Sequence, residues 1–162
     1  RFMPVVEGAH EAGIPVRGYV SCVVACPYEG AVAPSAVVDV CRRLLAIGVD
    51  ELDLGETLGV SHPEEIDALL EAVGEIESLD RIVLHLHDTE GHALACARRG
   101  WDLGIRRFDA SCRGLGGCPF APGAAGNVST ESLVGFFDEL GHPCGVSSKK
   151  LESASQLLDM IF

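Results

Sequence analysis

The chain alternates between short apolar segments and longer segments with helical periodicity. The apolar segments are residues 14–22, 51–54, 81–86 and 105–110. Each is followed by a turn containing Gly or Pro and then by apolar residues at helical spacing, which is typical of parallel α/β folds. We therefore expect four parallel strands, with later helices over residues 34–47, 91–103, 130–140 and 149–161.

Two further signals concern helix boundaries. Ser61 followed by Glu64 has the spacing of a capping box and predicts that a helix begins there. Residues 3–12 end at Gly13 and have the pattern of a helix whose preceding strand is not in this sequence.

The length of the chain limits the architecture. A (β/α)8 barrel needs about 250 residues and eight strands, whereas 162 residues with four predicted strands supply only half of one. Half a barrel leaves two sheet edges uncovered, and uncovered edges invite pairing. A small doubly wound open sheet is the alternative, and periodicity does not distinguish the two.

The charge and the cysteines exclude several functional classes. The chain has 12 Lys and Arg against 24 Asp and Glu, a net charge of −12, which disfavours binding to nucleic acid or to an anionic membrane surface. No apolar run approaches the roughly 18 residues of a membrane span. Seven cysteines, an odd number without disulfide-scaffold density, predict a reducing compartment, which we take to be the cytoplasm.

A histidine pair lies at the end of the third predicted strand. Because residues two apart in a strand point to the same face, His85 and His87 can present their imidazoles side by side. Two imidazoles so placed can bind a metal ion, although two ordinary histidines at a strand end have the same spacing. Asp88 has the opposite parity and is expected to orient a loop or support the site.

A Gly-rich segment follows the fourth predicted strand. Residues 114–127 contain five glycines and two prolines, so they can form neither a helix nor a strand interior. They place the thiol of Cys118 in a bendable loop, as in active-site lids, and end at Asn127, whose amide could reach the strand ends. A plain Gly-rich connection is the alternative interpretation.

Other candidate groups lie at the same predicted edge. Glu56 stands at the end of the second predicted strand and is the remaining acid placed at this edge. Barrel enzymes place catalytic groups at these strand ends. Cys22 and Cys26 could join the histidines in a structural zinc site. That alternative is disfavoured, because zinc sites usually draw their cysteines from a CxxC pair.

Four motifs together resemble one enzyme family. Residues 16–22 (VRGYVSC), 26–30 (CPYEG), 85–89 (HLHDT) and 114–131 (GLGGCPFAPGAAGNVSTE) look like the second half of hydroxymethylglutaryl-CoA lyases, a group of TIM-barrel metal-dependent lyases. The resemblance implies that residues 1–162 are the C-terminal half of a (β/α)8 barrel, about its last four βα units, with the N-terminal half absent.

The resemblance also implies the chemistry. A divalent cation, Mg2+ or Mn2+, would be held by His85, His87 and Asn127, with an Asp from the first barrel strand. The reaction would be retro-Claisen cleavage of 3-hydroxy-3-methylglutaryl-CoA to acetyl-CoA and acetoacetate, as in leucine degradation and ketone body metabolism. Cys118 would transfer a proton, His85 would combine ligation with proton transfer, and Glu56 would be an active-site carboxylate.

Some expectations follow from residues that differ from the family pattern and from family residues that this sequence lacks. Glu56 stands where the family usually has Asp, so a related 3-hydroxyacyl-CoA substrate is an alternative. Without the first-strand Arg and Asp, the chain alone should bind metal weakly and be inactive, and a non-catalytic half barrel that only associates is a second alternative. We further expect an acyl-CoA substrate, a homo-oligomer, no nucleic acid or membrane partner, and the mitochondrial matrix as the compartment in a eukaryote.

Overall fold

The computed structural model describes residues 1–117, 126–158 and 160. Strands and helices alternate along these residues. The strands are β1 (Arg17–Ser21), β2 (Ala25–Cys26), β3 (Gly30–Ala31), β4 (Glu51–Glu56), β5 (Ile82–Leu86) and β6 (Arg107–Asp109). The helices are α1 (Met3–Glu11), α2 (Pro34–Ala46), α3 (Pro63–Gly74), α4 (Ala93–Leu103), α5 (Thr130–Glu139) and α6 (Ser148–Leu158), with short 3-10 turns at Leu79–Arg81 and Cys112–Gly114.

The central sheet decides between the two predicted architectures. Its four strands are parallel and lie in the order β1-β4-β5-β6, which follows their order in the chain. A doubly wound sheet requires a point where the strand order reverses, and the described residues contain no such reversal. Because crossovers are right-handed, an unreversed order puts the connecting helices on one face, as in part of an α/β barrel. The predicted partial barrel is confirmed.

The two faces of the sheet differ in polarity. Leu52 and Leu54 of β4 and Leu84 and Leu86 of β5 are at most 2% exposed and belong to the core under the helices. The alternate residues point away from the helices, as the strand period of two requires. That inner face carries the polar side chains at positions 19, 53, 85 and 109.

Three details differ from the predictions. The N-cap of α3 is His62, not Ser61, and its backbone N–H donates to Glu65, not Glu64 (2.9 Å). Pro63 explains the shift by one residue, because Pro is favoured at the first helical position. The β2–β3 hairpin was not predicted, since two-residue strands carry no detectable periodicity.

None of the helices within residues 1–117 and 126–158 is long and apolar enough to cross a bilayer.

Candidate metal and substrate site

A cavity of about 640 Å3 opens at the carboxyl ends of β1, β4 and β5. Parallel strands bring their carboxyl ends to one edge, so residues far apart in sequence meet there. The polar and sulfur-containing side chains that line it are Tyr19, Ser21, Cys22, Cys26, Tyr28, Thr57, His85, His87 and Asn127. The structure therefore places the three predicted metal ligands at one cavity.

His87 is held in one orientation by the neighbouring strand. Its Nδ1 lies 2.9 Å from the carbonyl oxygen of Glu56, so Nδ1–H donates to that oxygen. This bond leaves Nε2 with a free lone pair, which is the arrangement of a metal-binding imidazole. Burial lowers the pKa of His87, which keeps the ring neutral and able to coordinate.

Asn127 reaches the cavity through backbone pairing with β5. An isolated antiparallel bridge joins residues 87 and 127, and the backbone N–H of Val128 donates to the carbonyl of Leu86 (2.9 Å). The Asn127 side-chain N–H donates to the carbonyl of Leu115 (2.9 Å). Its Oδ1 is buried and has no hydrogen-bond partner among the described residues, which fits an oxygen available to a cation.

His85 lies beside both His87 and a carboxylate. The two imidazole centroids are 5.1 Å apart, with the rings at 72°. The Nδ1 of His85 lies 3.9 Å from Oδ1 of Asp109, and this carboxylate raises the pKa of His85. A histidine made more basic in this way is suited to accept a proton.

Two carboxylates form a charged group with His85. A ligand atom from each of Asp53, His85 and Asp109 lies within 4.8 Å of the others. The Nη1 of Arg17 lies 3.3 Å from Oδ2 of Asp53 and 3.2 Å from Oδ2 of Asp109. The Tyr19 hydroxyl donates to the same Oδ2 of Asp109 (3.1 Å). Burial raises the pKa of Asp53, while the contact with His85 lowers that of Asp109, so the pair favours one negative charge over two.

These carboxylates were missed from the sequence. Asp53 lies inside a strand among apolar residues, and Asp109 lies in a short strand of which three residues are paired. The parity of Asp53 relative to Leu52 and Leu54 was the available signal, because it predicts an inward-facing side chain. The structure therefore places two carboxylates beside His85 that the sequence analysis did not name.

Glu56 does not point into the cavity. It shares the strand face of Leu52 and Leu54, is 1% exposed, and its carboxylate accepts backbone N–H groups from Gly59 (2.7 Å) and Val60 (3.3 Å). Burial raises its pKa. The side chain organises the turn after β4, and only its backbone carbonyl touches the site, through His87.

The three candidate cysteines differ in their relation to the cavity. Cys118 lies outside the described residues; Gly116 and Gly117, which precede it, line the cavity. Cys22 and Cys26 also line it. Neither belongs to a group of close metal-ligating atoms among the described residues, so the structural zinc alternative gains no support.

Asp88 supports the loop after β5, as expected. Its Oδ1 accepts the backbone N–H of Ala93 at the start of α4 (2.9 Å).

A larger cleft of about 750 Å3 lies along β6 and α5 and is lined mainly by apolar side chains such as Trp101 and Phe137. Neither of the paired histidines lines it, and we therefore assign the chemistry to the smaller cavity.

Comparisons with known proteins agree along nearly the whole chain. The sequence profile of the HMGL-like family matches residues 1–158. A relative from Pseudomonas mevalonii, named hydroxymethylglutaryl-CoA lyase, is 46% identical over 157 residues, which are 97% of this chain and 51% of that protein. The chain thus spans about half the length of the curated relatives it matches.

Solved structures also match nearly all of this chain with a little over half of their own length. The HMG-CoA lyase of Brucella melitensis superposes with a TM-score of 0.94 at 44% identity, covering 99% of this chain and 57% of that one. An HMG-CoA lyase from Acinetobacter baumannii, solved with coenzyme A and 3-methylmalate, gives a TM-score of 0.89 at 34% identity, covering 97% and 51%.

Proposed function

The chain belongs to the HMGL-like family, and from this membership we propose that it forms the metal-binding part of an enzyme cleaving 3-hydroxy-3-methylglutaryl-CoA to acetyl-CoA and acetoacetate. The observation that carries the proposal is the meeting of His85, His87 and Asn127 at one cavity. The similarity to named lyases at 46% and 44% identity supports it.

We propose that a divalent cation, Mg2+ or Mn2+, is held by His85, His87 and Asn127. Two observations fit such an ion: the partnerless buried Oδ1 of Asn127 and the fixed ring of His87, whose Nε2 is free. The amide oxygen of Asn127 and added water are ligands that suit Mg2+ and Mn2+. When bound, the cation would lower the pKa of the substrate hydroxyl and orient the acyl group.

The reaction itself is a retro-Claisen cleavage. A base takes the proton of the tertiary hydroxyl, the bond between C2 and C3 breaks, and the electrons of that bond form the thioester enolate. The remaining fragment leaves as acetoacetate, and protonation of the enolate carbon gives acetyl-CoA. No net oxidation or reduction occurs, so no redox cofactor is needed.

His85 is our candidate for removing the hydroxyl proton, which it does while its acceptor nitrogen is released from the cation, because an imidazole has only one lone pair for either role. It faces the cavity, and the carboxylate of Asp109 stabilises the imidazolium that forms. Cys118 is our candidate for protonating the enolate carbon, because the Gly116–Gly117 segment that leads to it borders the cavity. Glu56 keeps only a positioning role, through its turn and its carbonyl contact with His87.

The position of Glu56 also bears on the substrate. Its carboxylate is bound to the turn after β4 and lies outside the cavity lining. The extra methylene of this Glu therefore does not narrow the space for the acyl group. This favours 3-hydroxy-3-methylglutaryl-CoA over a different 3-hydroxyacyl-CoA.

We also propose that residues 1–162 act as the C-terminal half of a barrel, together with an N-terminal half and with acyl-CoA as substrate. The inner face of the sheet supports this: Tyr19, whose side chain points there, is 59% exposed. For the compartment we retain the cytoplasm, or the mitochondrial matrix in a eukaryote, as the prediction.

The test uses the full-length protein that contains this chain. His87→Asn should abolish the Mn2+-dependent cleavage of 3-hydroxy-3-methylglutaryl-CoA, measured as acetoacetate release, and should weaken Mn2+ binding at least about tenfold. His10→Asn is the matched control, because His10 does not line the cavity and lies in an exposed ion pair with Asp50, at the amino end of β4. Full turnover by a His85→Asn/His87→Asn double variant would overturn the proposal and favour a non-catalytic association domain.

A further inference from the structure

A second group of metal-ligating side chains lies outside the cavity, between the starts of α3 and α4. His62 precedes α3, His92 precedes α4, and Glu90 lies in the turn between β5 and α4. One ligand atom from each of the three lies within 4.8 Å of the others. None of them lines the cavity that holds His85 and His87.

The two imidazoles face each other closely. Their centroids are 4.2 Å apart and the rings are tilted by 40°. His92 is half-buried, and its Nδ1 is buried with no hydrogen-bond partner among the described residues. A buried ring nitrogen without a partner is costly, and coordination to a cation would satisfy it.

Backbone contacts fix the segments that carry these side chains. The N–H of Glu90 donates to the carbonyl of Gly59 (2.9 Å), which joins the turn after β5 to the turn after β4. The carbonyl of His92 accepts from Cys96 in the first turn of α4 (2.9 Å). Because both turns are fixed, the ordering cost of bringing the ligands together is partly met before a metal binds.

The local charge favours a cation. The N-termini of α3 and α4 are positive ends of helix dipoles and would disfavour one. Glu64 and Glu65 in the first turn of α3, together with Glu90, oppose that field with negative charge.

We propose that His62, Glu90 and His92 bind Zn2+, with water in the remaining position, and that the ion clamps the turn after β4 to the turn after β5. Two imidazoles and one carboxylate match the ligand preference of Zn2+. Bond lengths of about 2.0–2.2 Å put tetrahedral ligand atoms about 3.3–3.6 Å apart, so atoms that now lie within 4.8 Å of one another must close by at most about 1.5 Å. The exposed side chains of His62 and Glu90 can make that movement by rotation.

The test begins with the full-length protein carrying His85→Asn and His87→Asn, which removes the cavity ligands. Calorimetry with Zn2+ should show one remaining equivalent, and Zn2+ should raise the thermal midpoint. Adding His92→Gln should weaken that binding at least about tenfold, whereas His10→Gln should leave it unchanged.

Folding is checked by comparing thermal midpoints in EDTA. If His92→Gln unfolds the protein, Glu90→Gln replaces it, because Glu90 is exposed and the same loss of affinity is expected. Absence of Zn2+ binding in the double-variant background, or unchanged affinity after both substitutions, would overturn the site. Because the readout is binding and not turnover, its failure would leave the proposed lyase function unaffected.

Discussion

Substitution of Gly59 by Ala tests how tightly the two turns beside the site are packed. Gly59 has φ +68°, and a Cβ built there would lie 2.5 Å from the backbone nitrogen of Thr89 and 2.9 Å from that of Asp88. These are backbone atoms of the turn after β5, so they cannot move aside by a side-chain rotation. The nitrogen of Thr89 would have to retreat by about 1 Å.

The expected loss of stability has two parts. An L-residue in this left-handed conformation costs about 1 kcal/mol, and forced displacement in a packed region costs about 1–3 kcal/mol more. Gly13→Ala isolates the first part, because Gly13 has φ +71° and nothing lies within 4 Å of its Cβ position. We therefore expect about 1 kcal/mol for Gly13→Ala and about 2–4 kcal/mol for Gly59→Ala.

Urea unfolding of both variants, followed by circular dichroism, gives the comparison. The displaced turn follows His87 directly in sequence, so Gly59→Ala should also weaken Mn2+ binding while Gly13→Ala should not. Two variants that lose the same stability within about 0.5 kcal/mol, the usual error in such comparisons, would refute the packing argument.

Three other substitutions test the site and its surroundings. Asp109→Asn should lower the pKa of His85, because the carboxylate that raises this pKa is lost. NMR titration of the imidazole measures the change, and an unchanged pKa would contradict the contact between His85 and Asp109. Glu56→Ala should destabilise the protein by about 3 kcal/mol, because one buried and one partly buried N–H group lose a charged acceptor. Glu56→Gln should lose less, and equal unfolding midpoints for the two variants would count against this. Hydrogen bonding to Arg17 lowers the pKa of Glu51. The Glu51–Arg17 contact therefore stabilises the fold above the pKa that Glu51 has in the unfolded chain, and this stabilisation is lost as pH falls through the pKa of Glu51 in the folded protein. Glu51→Gln should flatten the acid side of the plot of unfolding free energy against pH, and an unaltered plot would argue against the contact.

The fold was largely predictable because it depends on local periodicity. Three of the four strands of the main sheet lie within a predicted apolar segment, and β4 extends two residues beyond the predicted segment 51–54. The predicted helix over residues 91–103 is observed as α4, Ala93–Leu103. The boundaries were less accurate, since the paired part of a strand depends on its neighbours: the segment 105–110 pairs only over Arg107–Asp109. The order of the strands, which excludes a doubly wound sheet, is not encoded in any one segment.

The site was predictable where one strand carries it. His85 and His87 follow the parity rule, and they do line the same cavity. Glu56 shows the limit of using strand ends alone, because its own parity with Leu52 and Leu54 places it under the helices. Asp53 follows the opposite parity and faces inward, although nothing in its apolar surroundings marks it as functional.

The sequence by itself determined the alternation of strands and helices, the side-by-side histidines and the family resemblance, because these depend on residues close together in the chain. Only the tertiary structure brought Asp53 of β4 and Asp109 of β6 to His85 of β5, and only it showed His62 meeting His92 across two turns. Such contacts arise when parallel strands align their carboxyl ends at one edge, and that alignment joins residues whose separation in sequence conceals their proximity.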